Sequence, residues 1–127
     1  MRHLFVYGSL LFGEQNHHEM RGARLVRTTS TAPAFTLFDL GPYPALVAGG
    51  TTAVEGELYA VNTALLARLD RFEQHPHVYR RGPIALADGS EVEADVEAYF
   101  FVDEARARAC PPIGASFRKG RSPLRGD

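Results

Sequence analysis

The chain has 127 residues, enough for one domain whose core needs no disulfide or metal to hold it. A formal net charge of -1 with 23% charged residues offers no field to recruit nucleic acid or an anionic membrane. No run of about 20 apolar residues is present to span a bilayer. The start, Met1–Gly8, turns polar too early for a secretory signal. Cys110 is the only cysteine, so no internal disulfide forms, and a cytoplasmic location is the expectation.

Eight Pro and twelve Gly predict short elements joined by many turns, hence a β-rich α/β domain rather than a helical bundle. His3–Tyr7 is an apolar run that reads as a strand, ended by Gly8-Ser9. Leu10–Gly13 follows as a loop and Gln15–Arg21 as a short helix or turn. Arg24–Thr29 and Ala34–Asp39 are the next strands. Gly41-Pro42-Tyr43-Pro44 is a rigid loop, because each proline holds the residue before it extended. Ala45–Ala48 is a short strand. Ala53–Val61 alternates as a strand with one buried face, carrying Val54, Gly56, Leu58 and Ala60.

Thr63–Phe72 is the main amphipathic helix, with Asn62 or Thr63 as its N-cap and Leu65, Leu66, Leu69 and Phe72 at helical spacing. His75-Pro76 closes it. Val78–Ala87 and Glu91–Val102 read as two long strands joined at a hairpin over Asp88-Gly89-Ser90. Asp103–Cys110 adds a short helix. Residues 1–113 form the domain by this reading, and 114–127, with little to bury, form a mobile tail.

Two features could carry chemistry. Tyr7-Gly8-Ser9-Leu10 forms the junction between the first strand and the loop after it. A glycine there lets a ligand approach the backbone, and successive free amides form a nest for a carboxylate or phosphate. A plain turn is the alternative. A phosphate loop is excluded, because Gly13 is followed by Glu14 and Gln15 rather than by Lys and Ser or Thr. The second feature is Glu73. On a wheel with Leu65 at zero, Leu69 falls near 40°, Glu73 near 80° and Leu66 near 100°. The carboxylate therefore shares the apolar face at the helix C-terminus. Burial and the negative helix end both disfavour its charge, which suits acid–base work near neutral pH. The alternative is that the helix frays at Phe72 and Glu73 turns to water.

His17-His18-Glu19 and His75-Pro76-His77 lack the helical spacing of a metal motif, so no metal is expected. Cys110 has no evident activating base, and Ser9 lacks a nucleophile elbow.

Together these segments resemble the γ-glutamylcyclotransferase-like family, most closely its γ-glutamylamine cyclotransferase branch. The resemblance is carried by Tyr7-Gly8-Ser9-Leu10 with Gly13 and Asn16-His17, by Pro42-Tyr43-Pro44, and by Val54-Glu55-Gly56-Glu57-Leu58-Tyr59-Ala60-Val61. Leu69-Asp70-x-Phe72-Glu73, followed by Tyr79-x-Arg81, completes it. It spans about residues 4–102. It implies a small mixed α/β barrel with the loop and the glutamate facing one cavity. It further implies that Glu73 is catalytic, that Gly8, Ser9 and Leu10 hold the substrate α-carboxylate through their amides, and that Tyr7 and Tyr79 shape the pocket. The implied substrate is a γ-glutamyl amide, cleaved without a cofactor to 5-oxoproline and an amine. A tailoring cyclotransferase that removes a γ-glutamyl protecting group and a non-catalytic binding module of the same fold are the other readings. The leaving amine and the choice between monomer and homodimer stay open.

Overall fold

The computed structural model describes residues 2–89 and 95–117. Its strands are β1 (Arg2–Val6), β2 (Arg24–Ser30), β3 (Phe35–Asp39), β4 (Pro44–Ala48), β5 (Glu55–Val61), β6 (Tyr79–Pro83) and β7 (Val96–Phe101). Its helices are α1 (Thr63–Phe72) and α2 (Glu104–Arg108), with a 3-10 turn over His17–Met20. No helix among the described residues is long and apolar enough to cross a membrane.

The apolar start of the chain becomes the middle of a five-stranded sheet of order β2-β5-β1-β7-β6. β1 runs antiparallel to β5 and parallel to β7. A central strand covered on both faces must be apolar on both, and Leu4, Phe5 and Val6 are all buried. Leu4 and Val6 pack with Leu65, Leu66 and Leu69 of α1. Phe5 and Tyr7 pack the other way, with Phe35, Leu37 and Leu46 of a separate β3–β4 pair. The site therefore grows from a strand pinned between two cores.

The mixed α/β class stands, with three corrections to the sequence reading. The barrel does not close. Among the described residues β2 and β6 remain edges, and the segments that follow them meet at an isolated bridge from Thr31 to Leu86. The β3–β4 pair covers a face of the sheet instead of extending it, so the described residues do not pair into a ring. β5 is buried on both faces, since Glu57, Tyr59 and Val61 lie under as little solvent as Leu58. Alternation detects a one-sided strand only, and here α1 covers the second side. Finally, β6 stops at Pro83, short of the expected Ala87, although Ile84 and Leu86 still pack in the core. β6 and β7 do pair antiparallel, from Tyr79↔Phe101 to Pro83↔Glu97. Ser90 of the expected hairpin and Glu91–Ala94 of the expected strand lie outside the described residues.

α1 has the bounds expected, and Asn62 is its cap, accepting the Leu65 amide at 2.8 Å. α2 is capped by Asp103, which accepts the Arg106 amide at 3.1 Å. The packed chain continues past the boundary expected at 113. The Ala115 carbonyl accepts the Glu55 amide at 2.7 Å, and Phe117 is fully buried in the cluster with Phe5 and Leu58. Residues 118–127 of the expected tail lie outside the described residues. Phe117→Ala should therefore lower stability by about 3–5 kcal/mol, as for other buried aromatics, read as a drop in the urea midpoint. A change within about 0.5 kcal/mol, typical of a surface position, would place Phe117 outside the core.

Candidate active site

The C-terminal end of β1 opens onto a cavity of about 400 Å³, within the range of small-molecule pockets. Tyr7, Gly8, Ser9 and Leu10 line it, together with Glu73 and Tyr79. The six residues that the resemblance marks for catalysis or substrate binding thus line one cavity.

The loop after β1 is held from several sides. The Ser9 carbonyl accepts the Asn16 amide, and the Ser9 hydroxyl accepts from Asn16 Nδ2, both at 2.9 Å. The Leu10 carbonyl accepts from His17 Nδ1 at 2.9 Å. A carbonyl cannot donate, so this contact places the histidine proton on Nδ1. Phe12 donates its amide to Glu57 Oε1 at 2.9 Å, and the Tyr59 hydroxyl donates to the same oxygen at 3.0 Å. The amides of Ser9 and Leu10 have no acceptor among the described residues. They are available to an anion, as the nest reading requires.

Gly8 has a reason that was not visible in the sequence. A Cβ there would come within 2.6 and 2.8 Å of two Pro44 ring atoms. Gly8 has no left-handed conformation, so close packing against the first residue of β4 demands the glycine rather than a tight turn.

Glu73 is not frayed. It is the C-cap of α1, and its amide donates to the Leu69 carbonyl at 2.8 Å. The Gln74 amide returns to Arg71 at 3.1 Å and the His75 amide to Asp70 at 2.8 Å. These are the paired bonds of a Schellman turn. Such a turn needs a left-handed residue after the cap, and Gln74 takes that role at φ 56. A non-glycine there costs about 1–2 kcal/mol, and the strained residue sits beside the carboxylate in the cavity wall.

The Glu73 carboxyl has no hydrogen-bond partner among the described residues. Burial pushes its pKa up to about 7, because the low-dielectric wall disfavours the ionised form. Four tyrosines line the same cavity, and three of their hydroxyls are already donated: Tyr7 to the Tyr99 carbonyl, Tyr79 to the Pro44 carbonyl at 2.8 Å, and Tyr99 to Asp70 Oδ1 at 2.7 Å. Burial, reinforced by the nearby Glu73 charge, pushes all three hydroxyls well up. They stay protonated and present oxygen lone pairs, which suit an ammonium group.

The helix end is clamped to the sheet. Arg81 meets Asp70 with two parallel bonds, Nε to Oδ1 and Nη2 to Oδ2, both at 2.9 Å. Its third nitrogen, Nη1, reaches Glu97 at 2.6 Å, and Arg2 meets the same carboxylate at 2.8 Å. The Arg81 amide donates to His75 Nδ1 at 3.0 Å, so the residues just past Glu73 are fixed as well. Burial acts to raise the Asp70 pKa, but the bonds from Arg81 and Tyr99 and the Arg81 charge leave it lowered.

The sequence reading missed Tyr99, Gln74 and Arg106 as lining residues. Tyr99 lies on the parity opposite to Val96, Ala98 and Phe100, and its bond to Asp70 spans 29 positions. Arg106 had no signal beyond its place in a short helix. No three metal-ligating side chains come together among the described residues.

The family model described as gamma-glutamyl cyclotransferase, AIG2-like, matches residues 4–116. A gamma-glutamylcyclotransferase family protein of Escherichia coli K12 is 39% identical over 87 residues, covering 68% of this chain and 75% of that protein. Gamma-glutamylaminecyclotransferase C of zebrafish (Danio rerio) is 35% identical over 96 residues, covering 66% of this chain and 61% of its own length. The crystal structure of a mouse AIG2-like protein has the same fold, with a TM-score of 0.78 and 27% identity over 100% of this chain and 95% of that one.

Burial of Glu73 carries a stability signature. The folded pKa of about 7 lies above the unfolded value of about 4.3. Between these values the folded state holds a proton that the unfolded chain has released, so stability falls as pH rises through this window. Glu73→Gln should therefore be more stable than the unaltered protein at pH 8 and equal to it at pH 4, in urea melts at both pH values. Equal stability at pH 8 would mean that the carboxylate is solvated.

Proposed function

The chain belongs to the AIG2-like gamma-glutamyl cyclotransferase family, and from that premise we propose that it cleaves γ-glutamyl amides of the γ-glutamylamine type by ring closure within the substrate. The observation that carries this reading is Glu73, a carboxyl without a partner, raised to about 7, in the same cavity as the free amides of Ser9 and Leu10. The likeness to the zebrafish γ-glutamylamine enzyme supports the substrate type.

In this mechanism the substrate α-carboxylate sits on the amides of Ser9 and Leu10. Its α-ammonium lies against Glu73 and the oxygens of Tyr7, Tyr79 and Tyr99. Ionised Glu73 takes a proton from the ammonium. The freed amine attacks the γ-carbonyl carbon of the same molecule, forming the ring carbon–nitrogen bond. Glu73 returns the proton to the exocyclic amide nitrogen as the bond between that nitrogen and the γ-carbonyl carbon breaks, and the proton still surplus on the ring nitrogen leaves with the amine, which departs as its ammonium ion. The products are 5-oxoproline and a free amine. The nucleophile arrives with the substrate, so the reaction uses no side-chain nucleophile, and neither Ser9 nor Cys110 is asked to act. The protein's part is to hold amine and carbonyl in attack geometry, an effect of about 7–11 kcal/mol at best. A pKa near 7 lets one group take and return the proton.

Glu73→Gln should keep its fold and lose turnover by about 10²–10⁴-fold, the usual share of a general acid–base. The assay is mass-spectrometric detection of 5-oxoproline from γ-glutamylamines. In the unaltered protein kcat/KM should rise with pH toward about 7 as Glu73 ionises. Turnover by the Gln variant close to that of the unaltered protein would remove Glu73 from the chemistry. Ser9→Ala should cost far less, because its contact runs through the backbone.

A further inference from the structure

The cavity is graded from floor to mouth. Gly8, Leu10 and Tyr99 are buried, and Glu73 and Tyr79 are half-buried. Tyr43, Phe72 and Arg106 are exposed. A γ-glutamyl group that reacts at Glu73 with its carboxylate on the loop occupies the floor, so its leaving amine points to the mouth.

Arg106 is the only lining residue among those described that carries a charge at every physiological pH. Its guanidinium has no ion-pair partner among the described residues, unlike Arg108 on the same helix, which reaches Glu104 at 3.7 Å. The Asp103 carboxylate is engaged with the Arg106 backbone amide. The guanidinium lies 5.7 Å from the centre of the Phe101 ring, a cation–π contact that holds the side chain in place. Phe101 in turn meets Tyr79 edge-on at 5.3 Å, and the Arg106 charge is close enough to act against the rise of the Tyr79 pKa. α2 itself is seated by Ala107, which is fully buried with Phe38 and Phe101, whereas Leu10 of the loop packs in the cluster beneath α1. Arg106 and the anion-binding loop are thus on different walls, one at the mouth and one at the floor.

We propose that Arg106 reads the leaving amine, favouring γ-glutamyl amides whose amine carries a carboxylate over those whose amine is neutral. A planar guanidinium donates two parallel hydrogen bonds to a carboxylate, while the exposed rings of Tyr43 and Phe72 cover the apolar stem between the scissile nitrogen and that acid. The inference rests on the ring-closure reading above.

The test uses two substrates with the same γ-glutamyl group and the same leaving chain, one ending in a carboxylate and the other in its neutral carboxamide. Release of 5-oxoproline is measured for each. The unaltered protein should favour the acid. Arg106→Gln should lower kcat/KM for the acid by about tenfold, the worth of one charge-assisted hydrogen bond, mainly through KM. The same variant should shift the neutral substrate by no more than about twofold. Arg106→Lys should keep part of the preference, and Arg106→Glu should reverse it. Equal loss on both substrates would assign Arg106 to the common α-carboxylate and overturn the proposal, as would an unchanged preference in Arg106→Gln. If the unaltered protein releases no 5-oxoproline from either substrate, the ring-closure reading falls, and this inference with it.

Discussion

The two-pronged ion pair between Arg81 and Asp70 is the contact on which the site depends. Asp70 lies one turn before Glu73 on α1, and its carboxylate is gripped by Arg81 from β6 and by the Tyr99 hydroxyl from β7. Side chains one turn apart share a helix face, so fixing Asp70 against the sheet edge fixes the direction in which Glu73 leaves the helix. Arg81 also holds His75 through its backbone amide. One arginine thereby pins the helix on both sides of the candidate catalytic residue. The contrast between the two acids is physical: Asp70 is surrounded by donors and stays ionised, while Glu73 has none among the described residues and is raised to about 7.

The opposite wall is held by the same kind of hydrogen bonding between distant segments. Glu57 on β5 takes the Phe12 amide and the Tyr59 hydroxyl, and Asn16 and His17 take up the carbonyls of Ser9 and Leu10. With the carbonyls occupied, the amides are what the loop offers to the cavity. Pro44 closes against Gly8, and its carbonyl receives the Tyr79 hydroxyl. A single proline therefore joins the loop, the β3–β4 pair and a pocket tyrosine. The result is a floor of fixed dipoles and one adjustable proton, which is what a reaction with an internal nucleophile requires.

Much of this was legible in local patterns. The strand at the start, the bounds of α1 and the place of Glu73 among Leu65, Leu66 and Leu69 all follow from periodicity, which is a property of neighbouring residues. The burial of both faces of β5 was not legible, because alternation reports one solvated face and β5 has none. The barrel that the resemblance implied is an open sheet instead, because closure depends on which edges meet, and short motifs do not carry that. Nor could local pattern decide whether α1 frays. That was settled by the Schellman bonds and a left-handed Gln74, a residue type that does not announce the turn as glycine would.

The amino-acid sequence by itself determined the small α/β class, the glycine after β1, the apolar-face glutamate and the motifs that mark the family. These are encoded within short stretches of chain. Only the tertiary structure decided that Glu73 is desolvated without a partner among the described residues, that Tyr99 and Arg81 brace it through Asp70, and that Arg106 stands at the mouth of the same cavity. Those facts depend on contacts between segments far apart in the chain. Desolvation and charge pairing arise from what surrounds a group in space, and no periodicity along the backbone carries that information.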